Sequence, residues 1–217
     1  EIDYLEKLSG LGLRDTLMHL RDAGLGSLPG GGAEIFDSTV RNTLCAEKIS
    51  GTRWLEVIEA AHRIGLKSNA TMLYGHIETS EHHIDHLIRL RELQDRTNGF
   101  QAFIPLSFHS QNTEIKKSAY TTGFDDLKTL AISRLMLDNF DHIKAYWVML
   151  GEKIAQVSLN FGVDDLDGTV VEERITKAAG GTTDGSMTMT DIVYLIKQAD
   201  RIPVERDTLY NEIKVWD

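Results

Sequence analysis

Residues 70–78, Ala70-Thr-Met-Leu-Tyr-Gly-His-Ile-Glu78, read as a buried strand that runs out into a glycine and the start of a helix. At such a junction an α/β protein presents backbone to a ligand. The stretch Leu28-Pro-Gly-Gly-Gly-Ala-Glu-Ile-Phe36 repeats the theme, an apolar approach that ends in glycines followed by one carboxylate. Downstream, Gln101-Ala-Phe-Ile-Pro-Leu-Ser-Phe-His109 is a third apolar run, ending in a histidine.

The pattern around these three segments alternates strand and helix. Leu13, Leu17, Leu20 and Ala23 before Gly24 predict an amphipathic helix, and residues 25–28 a short strand. Asp37 or Ser38 is expected to cap a helix carrying Val40 and Leu44, and Trp54 to Ile64 mark another that stops at Gly65. Strand 67–74 follows, then a helix capped by Ser80, strand 100–108, helix 124–139, strand 143–149 and a helix from Gly151. A last short strand is expected over 159–162, leading into Asp164-Asp-Leu-Asp-Gly-Thr169. Residues 179–187, rich in glycine and threonine, predict a loop before a final helix near 191–199. This rhythm implies parallel strands with right-handed crossovers, about half a (β/α) barrel in one domain over 1–217.

Bulk properties narrow the function. The 217 residues carry 23 Lys and Arg against 33 Asp and Glu, a net charge of −10, which argues against nucleic-acid backbone as a partner. Cys45 is the one cysteine, so an intrachain disulfide is excluded and a reducing, cytoplasmic compartment is expected. No uninterrupted apolar run approaches the roughly 18 residues of a membrane span. A full barrel takes about 250 residues, so only part of one is expected here.

In a parallel barrel the active site forms at the carboxyl ends of the strands. There Glu34, Gly75, His76, Glu78, His109, Tyr146 and Asp165 are expected to converge around one mouth. Glycines at 30–32 and 75 allow backbone to approach a ligand closely. Other signals have bland readings. His82 and His86 are four apart but do not complete a metal site, and no metal is expected. Trp54, Trp147 and Trp216 read as packing residues, and Asp125, Asp126, Asp164, Asp165 and Asp167 as solvated or capping carboxylates.

Together these motifs resemble the radical S-adenosylmethionine (SAM) family, specifically the aminodeoxyfutalosine synthases of the futalosine route to menaquinone. The family shows Gly-x-Ile-x-Gly-x-x-Glu at its fifth strand, and Thr71-x-Leu73-x-Gly75-x-x-Glu78 is similar, with Thr in the first position. Pro29-Gly-Gly-Gly-Ala-Glu34 resembles a SAM-contacting strand end, and 101–109, 164–169 and 204–210 resemble further segments. The resemblance implies a partial (β/α) barrel of radical SAM type, roughly its C-terminal half plus terminal helices. It implies SAM contacts at Gly31, Gly32, Glu34, Leu73, Gly75 and Glu78 and substrate contacts at His76, His109 and Arg206. The catalytic residue is left unassigned.

In such enzymes a four-iron four-sulfur cluster, held by Cys-x-x-x-Cys-x-x-Cys, cleaves SAM reductively to a 5′-deoxyadenosyl radical. The radical adds to the enolpyruvyl double bond of 3-[(1-carboxyvinyl)oxy]benzoate, giving 6-amino-6-deoxyfutalosine. The three thiolates cannot come from Cys45 alone. This chain is therefore expected to correspond to the C-terminal part of such an enzyme and not to cleave SAM by itself, with Cys45 a buried structural thiol. The related cyclic dehypoxanthinylfutalosine synthase, or a non-catalytic half barrel that dimerises through open strand edges, are the alternatives.

Overall fold

The computed structural model describes residues 1–115, 121–170, 178 and 186–216. The fold is α/β, built on a five-stranded sheet in the order β1 (Ser27–Leu28), β2 (Lys67–Tyr74), β3 (Phe100–Ser107), β4 (His142–Ala145), β5 (Asp165–Leu166). β1 pairs with β2 in parallel, with Ser27 opposite Lys67, and β4 pairs in parallel with β5, with Lys144 opposite Asp165. The helices are α1 (Ile2–Ser9), α2 (Leu13–Asp22), α3 (Ser38–Leu44), α4 (Gly51–Arg63), α5 (Ser80–Thr97), α6 (Gly123–Met136), α7 (Trp147–Leu150), α8 (Glu152–Ser158) and α9 (Met189–Lys197). An antiparallel hairpin, β6 (Val204–Arg206) with β7 (Glu212–Val215), follows α9. No helix among the described residues is long and apolar enough to cross a membrane.

The main elements follow from local chemistry. Asp37 caps α3, its carboxylate accepting from the amides of Thr39 and Val40. Thr122 and Asp125 form a capping box at the start of α6, and Thr188 and Asp191 do the same for α9. β2 lacks a simple alternation because parallel strands are covered on both faces: Ser68, Ala70 and Met72 are fully buried on one face, and Thr71 is buried on the other.

Two expectations are corrected. Residues 147–150 form one helical turn rather than the end of a strand, since a short apolar run does not distinguish the two by pattern. Residues 159–162 form a turn, and the strand lies further on at Asp165–Leu166. The hairpin, together with α1, had no forecast. The expected loop at 179–187 lies mostly outside the described residues.

The chain divides into two compact units. The first comprises Glu1–Met72, Glu78–Phe103 and Asn139–Asp141, and the second comprises Leu73–Ile77, Ile104–Asp138 and His142–Asp217. The first unit is centred on Leu17, Ile35, Met72, Leu87, Leu90, Leu93 and Phe103, all at most 1% exposed. An aromatic series runs beside them: Phe36 to Trp54 at 5.5 Å, Trp54 to Phe100 at 6.4 Å and Phe100 to Phe140 at 5.1 Å between ring centroids. In the second unit Leu130, Leu137, Ile143, Ala145 and Trp147 are fully buried. Each large apolar side chain so removed from water contributes about 1.5–3 kcal/mol.

Candidate functional site

In the first unit the loop after β1 is fastened by its carbonyls. Thr71 Oγ1 donates to Gly30 O at 3.0 Å, and Trp54 Nε1 donates to Gly31 O at 3.0 Å. The Arg41 guanidinium donates to Gly32 O at 2.9 Å, to Ala33 O at 2.5 Å and to Ile35 O at 3.3 Å, while its Nε reaches Ile49 O at 2.6 Å. Gly30 lies so close to β2 that a Cβ there would sit 1.9 Å from Asn69 O. A Cβ on Gly31 or Gly32 would instead meet nothing within 4 Å. The face of the loop at Gly31 and Gly32 is therefore open to a ligand.

Glu34 adopts a left-handed φ of 47°, uncommon for a residue with a side chain. Its carboxylate is 16% exposed and ion-paired with Lys48 at 2.5 Å. Glu78 precedes α5, with a carboxylate only 4% exposed that meets His83 Nε2 at 2.9 Å. His82 accepts from the amide of Thr79 at the start of α5, whereas His86 is fully buried. His86 Nε2 must carry its proton, since it donates to Thr71 O at 3.0 Å; the ring stacks on Phe36 at 3.8 Å. Burial pushes the His86 imidazole down to about 3, so the ring is neutral. The two histidines thus face different partners, and among the described residues no group of three or more His, Cys, Asp or Glu is placed to hold a metal.

In the second unit β2 ends in Leu73, half-buried, and then Gly75 at φ 88°. A Cβ on Gly75 would lie 2.3 Å from the Thr121 methyl, so packing within the protein itself requires glycine here. His76 is 3% exposed; its Nε2 donates to Leu73 O at 2.9 Å and its ring meets Phe108 edge-on at 6.0 Å. His109 Nε2 donates to Met149 O at 3.2 Å.

Beneath this turn lies a polar cluster that sequence reasoning missed. The Tyr74 hydroxyl donates to Asp126 at 2.7 Å, and Ser107 and Thr121 share a hydrogen bond at 2.6 Å. Burial pushes the Asp126 carboxyl up, against the hydrogen bond from Tyr74. Tyr74 is pushed up in turn by burial and by the neighbouring carboxylate.

Arg206 is committed to protein partners. Its Nη2 reaches Asp165 at 2.7 Å, and its guanidinium lies 3.9 Å from the centroid of the Tyr210 ring. Asp165 also accepts from the Tyr210 hydroxyl and lies 3.6 Å from Lys144, which is 3.1 Å from Asp167. His142 stacks on Tyr210 at 4.0 Å and bonds Asp164 at 2.6 Å, while Arg134 meets the other oxygen of Asp164. Asp126 and Asp165, 6% and 8% exposed, are thus buried rather than solvated as expected from sequence. Asp125 does cap α6, and Cys45 is a buried free thiol.

Solved structures of similar architecture include methylornithine synthase (PylB), at TM-score 0.65 and 17% identity over 92% of this chain and 60% of that one. Another is the FeFe-hydrogenase maturase HydG from Carboxydothermus hydrogenoformans, at TM-score 0.64 and 13% identity over 91% and 47%. At that identity the likeness speaks to fold: an α/β sheet and helices resembling a partial radical SAM (β/α) barrel. Residues 97–216 match the family described as CofH/MqnC C-terminal region. The chain is 51% identical over its whole length to an aminodeoxyfutalosine synthase from Thermus thermophilus, covering 59% of that protein. It is 43% identical, over 97% of its length, to a 5-amino-6-(D-ribitylamino)uracil–L-tyrosine 4-hydroxyphenyl transferase from Archaeoglobus fulgidus, covering 62% of it. The chain belongs to this radical SAM family, and it spans about three fifths of the length of these curated relatives.

Proposed function

We propose that this chain is the C-terminal part of a radical SAM enzyme that adds the 5′-deoxyadenosyl group of SAM to 3-[(1-carboxyvinyl)oxy]benzoate, giving 6-amino-6-deoxyfutalosine for menaquinone biosynthesis. The observation that carries this reading is the 51% identity over the whole chain to the Thermus aminodeoxyfutalosine synthase, against 43% to the Archaeoglobus transferase. The second figure keeps a tyrosine-derived 4-hydroxyphenyl transfer as the reading to test against. Cyclic dehypoxanthinylfutalosine synthase and a self-associating half barrel stand behind it.

The chain's own residues do not fit a four-iron four-sulfur cluster: Cys45 is 5% exposed at the end of α3, and no other thiol exists. The 217 residues by themselves should therefore be inactive. They do suit SAM, which when bound supplies the adenosyl group. The open face at Gly31 and Gly32 admits ligand close to backbone, and Glu34, ion-paired but partly exposed, can accept from ribose hydroxyls or an ammonium. By resemblance, half-buried Leu73 is a proposed adenine contact, and Gly75 and Glu78 are further proposed SAM contacts. His76 and His109 are the proposed substrate contacts. Arg206 is the weakest of that group, because Asp165 already neutralises it.

Product analysis on a full-length enzyme containing this sequence is the test. Formation of 6-amino-6-deoxyfutalosine from SAM and the enol ether supports the reading. Turnover of tyrosine with the ribitylaminouracil, or hydrogen abstraction from a futalosine ring, assigns the chain to one of the rivals.

A further inference from the structure

Arg41 is 3% exposed, yet no carboxylate pairs with it among the described residues. Its guanidinium bonds instead to backbone carbonyls: Gly32, Ala33, Ile35 and Ile49. A buried charge without a counter-ion is expensive, and an apolar side chain of similar volume is often as good for folding. What Arg supplies and an apolar residue cannot is a rigid planar fork of five donors. That fork grips a stretch of backbone whose φ is positive at Gly30, Gly32 and Glu34, a course that chain propensity does not favour at Glu34. With Thr71 and Trp54 holding Gly30 O and Gly31 O, the carbonyls of residues 30–33 and 35 are all drawn onto donors of the first unit. The amides of Gly31, Gly32 and Glu34 donate to no acceptor among the described residues, whereas Ala33 closes the turn over 31–32 and is fully buried.

We infer that Arg41 is a positioning residue. It presets the loop over residues 30–35 so that the backbone amides of Gly31, Gly32 and Glu34 and the Glu34 carboxylate are offered to the ligand in one fixed arrangement. The inference rests on the proposed SAM-binding reading for the identity of the ligand, but its structural half does not.

The test uses the 217-residue chain and two variants, R41K and R41A, with S-adenosylhomocysteine as the probe. Lysine keeps the charge but has one nitrogen and cannot span from Gly32 O to Ile49 O. In R41K, the NMR order parameters of amides 31–35 should fall while those of α5 stay unchanged, and probe affinity should fall at least tenfold with thermal unfolding nearly unmoved. In R41A, added guanidinium should restore the order parameters and binding, as methylammonium should not. Unchanged order parameters at 31–35 in R41K overturn the inference. So does a loss of order spread evenly through the first unit, or R41A indifferent to guanidinium. If the unaltered chain fails to bind the probe, the SAM reading fails, and the order-parameter and rescue measurements still decide the role of Arg41.

Discussion

The region around the loop after β1, in the first unit, and the β4–β5 region, in the second, bury polar groups by opposite means. In the first, a lone guanidinium and two neutral imidazoles are satisfied by neutral groups: Arg41 by loop carbonyls, His86 by Thr71 O, and His62 by Ser68 and Thr97 at 2.8 Å each. In the second, charges meet opposite charges: buried Asp165 with Arg206 and Lys144, and exposed Asp164 with Arg134, beside its hydrogen bond with His142. A network of ion pairs retains partners when one is lost. A loop with three carbonyls held by one fork does not, which makes that loop the more sensitive of the two regions to single changes.

Acidification should separate the units most widely. Burial lowers His62 to about 4 and His86 to about 3, from an ordinary 6.5. The stability tied to their neutral forms is fully present above pH 6.5 and drains as pH falls toward those values, by up to about 1.4 kcal/mol per pH unit for each. Asp164 is held below its ordinary 3.8 by the His142 hydrogen bond, the Ile143 amide and Arg134, against the effect of its own burial. Its contribution is present above about 3.8 and is lost only below that. Hydrogen exchange between pH 7 and 4 should therefore show α4 and α5 opening while β4 and β5 stay protected; simultaneous opening breaks the comparison.

Gly30→Ala comes next. Its Cβ would meet backbone at 1.9 Å in a left-handed conformation, so denaturant titration should show a loss of about 4 kcal/mol. The matched change in the second unit, Gly75→Ala, meets a methyl at 2.3 Å that can turn aside, and should cost about 2 kcal/mol. Equal losses would mean that the two turns are equally rigid. Asp165→Ala leaves Lys144 and Arg206 without their shared carboxylate, and the expected loss is about 3 kcal/mol. Tyr74→Phe, the smallest, removes the hydroxyl from buried Asp126 and should cost about 1–2 kcal/mol.

Much of the fold was readable in the sequence where a signal is local. β2 runs over the expected residues 67–74 because glycines at 65 and 75 bracket a stretch of buried residues, and Asp37 announces α3 as a cap. What was missed depends on distant partners. β5 at Asp165–Leu166 reads as a polar stretch until Arg206, Tyr210 and Lys144 arrive from elsewhere in the chain. Arg41 looks like any polar residue on a short helix, since nothing in its neighbours reveals that its targets are carbonyls six to nine residues away. The glycine segments were visible, but the internal reason for Gly75, the Thr121 methyl, was not.

The most direct measurement is hydrogen exchange of the 217-residue chain with and without saturating S-adenosylhomocysteine. Slowed exchange over residues 30–36, with residues 204–216 unaffected, is the predicted result. Binding that leaves residues 30–36 unprotected, or no binding at millimolar probe, would contradict the assignment of this loop to SAM.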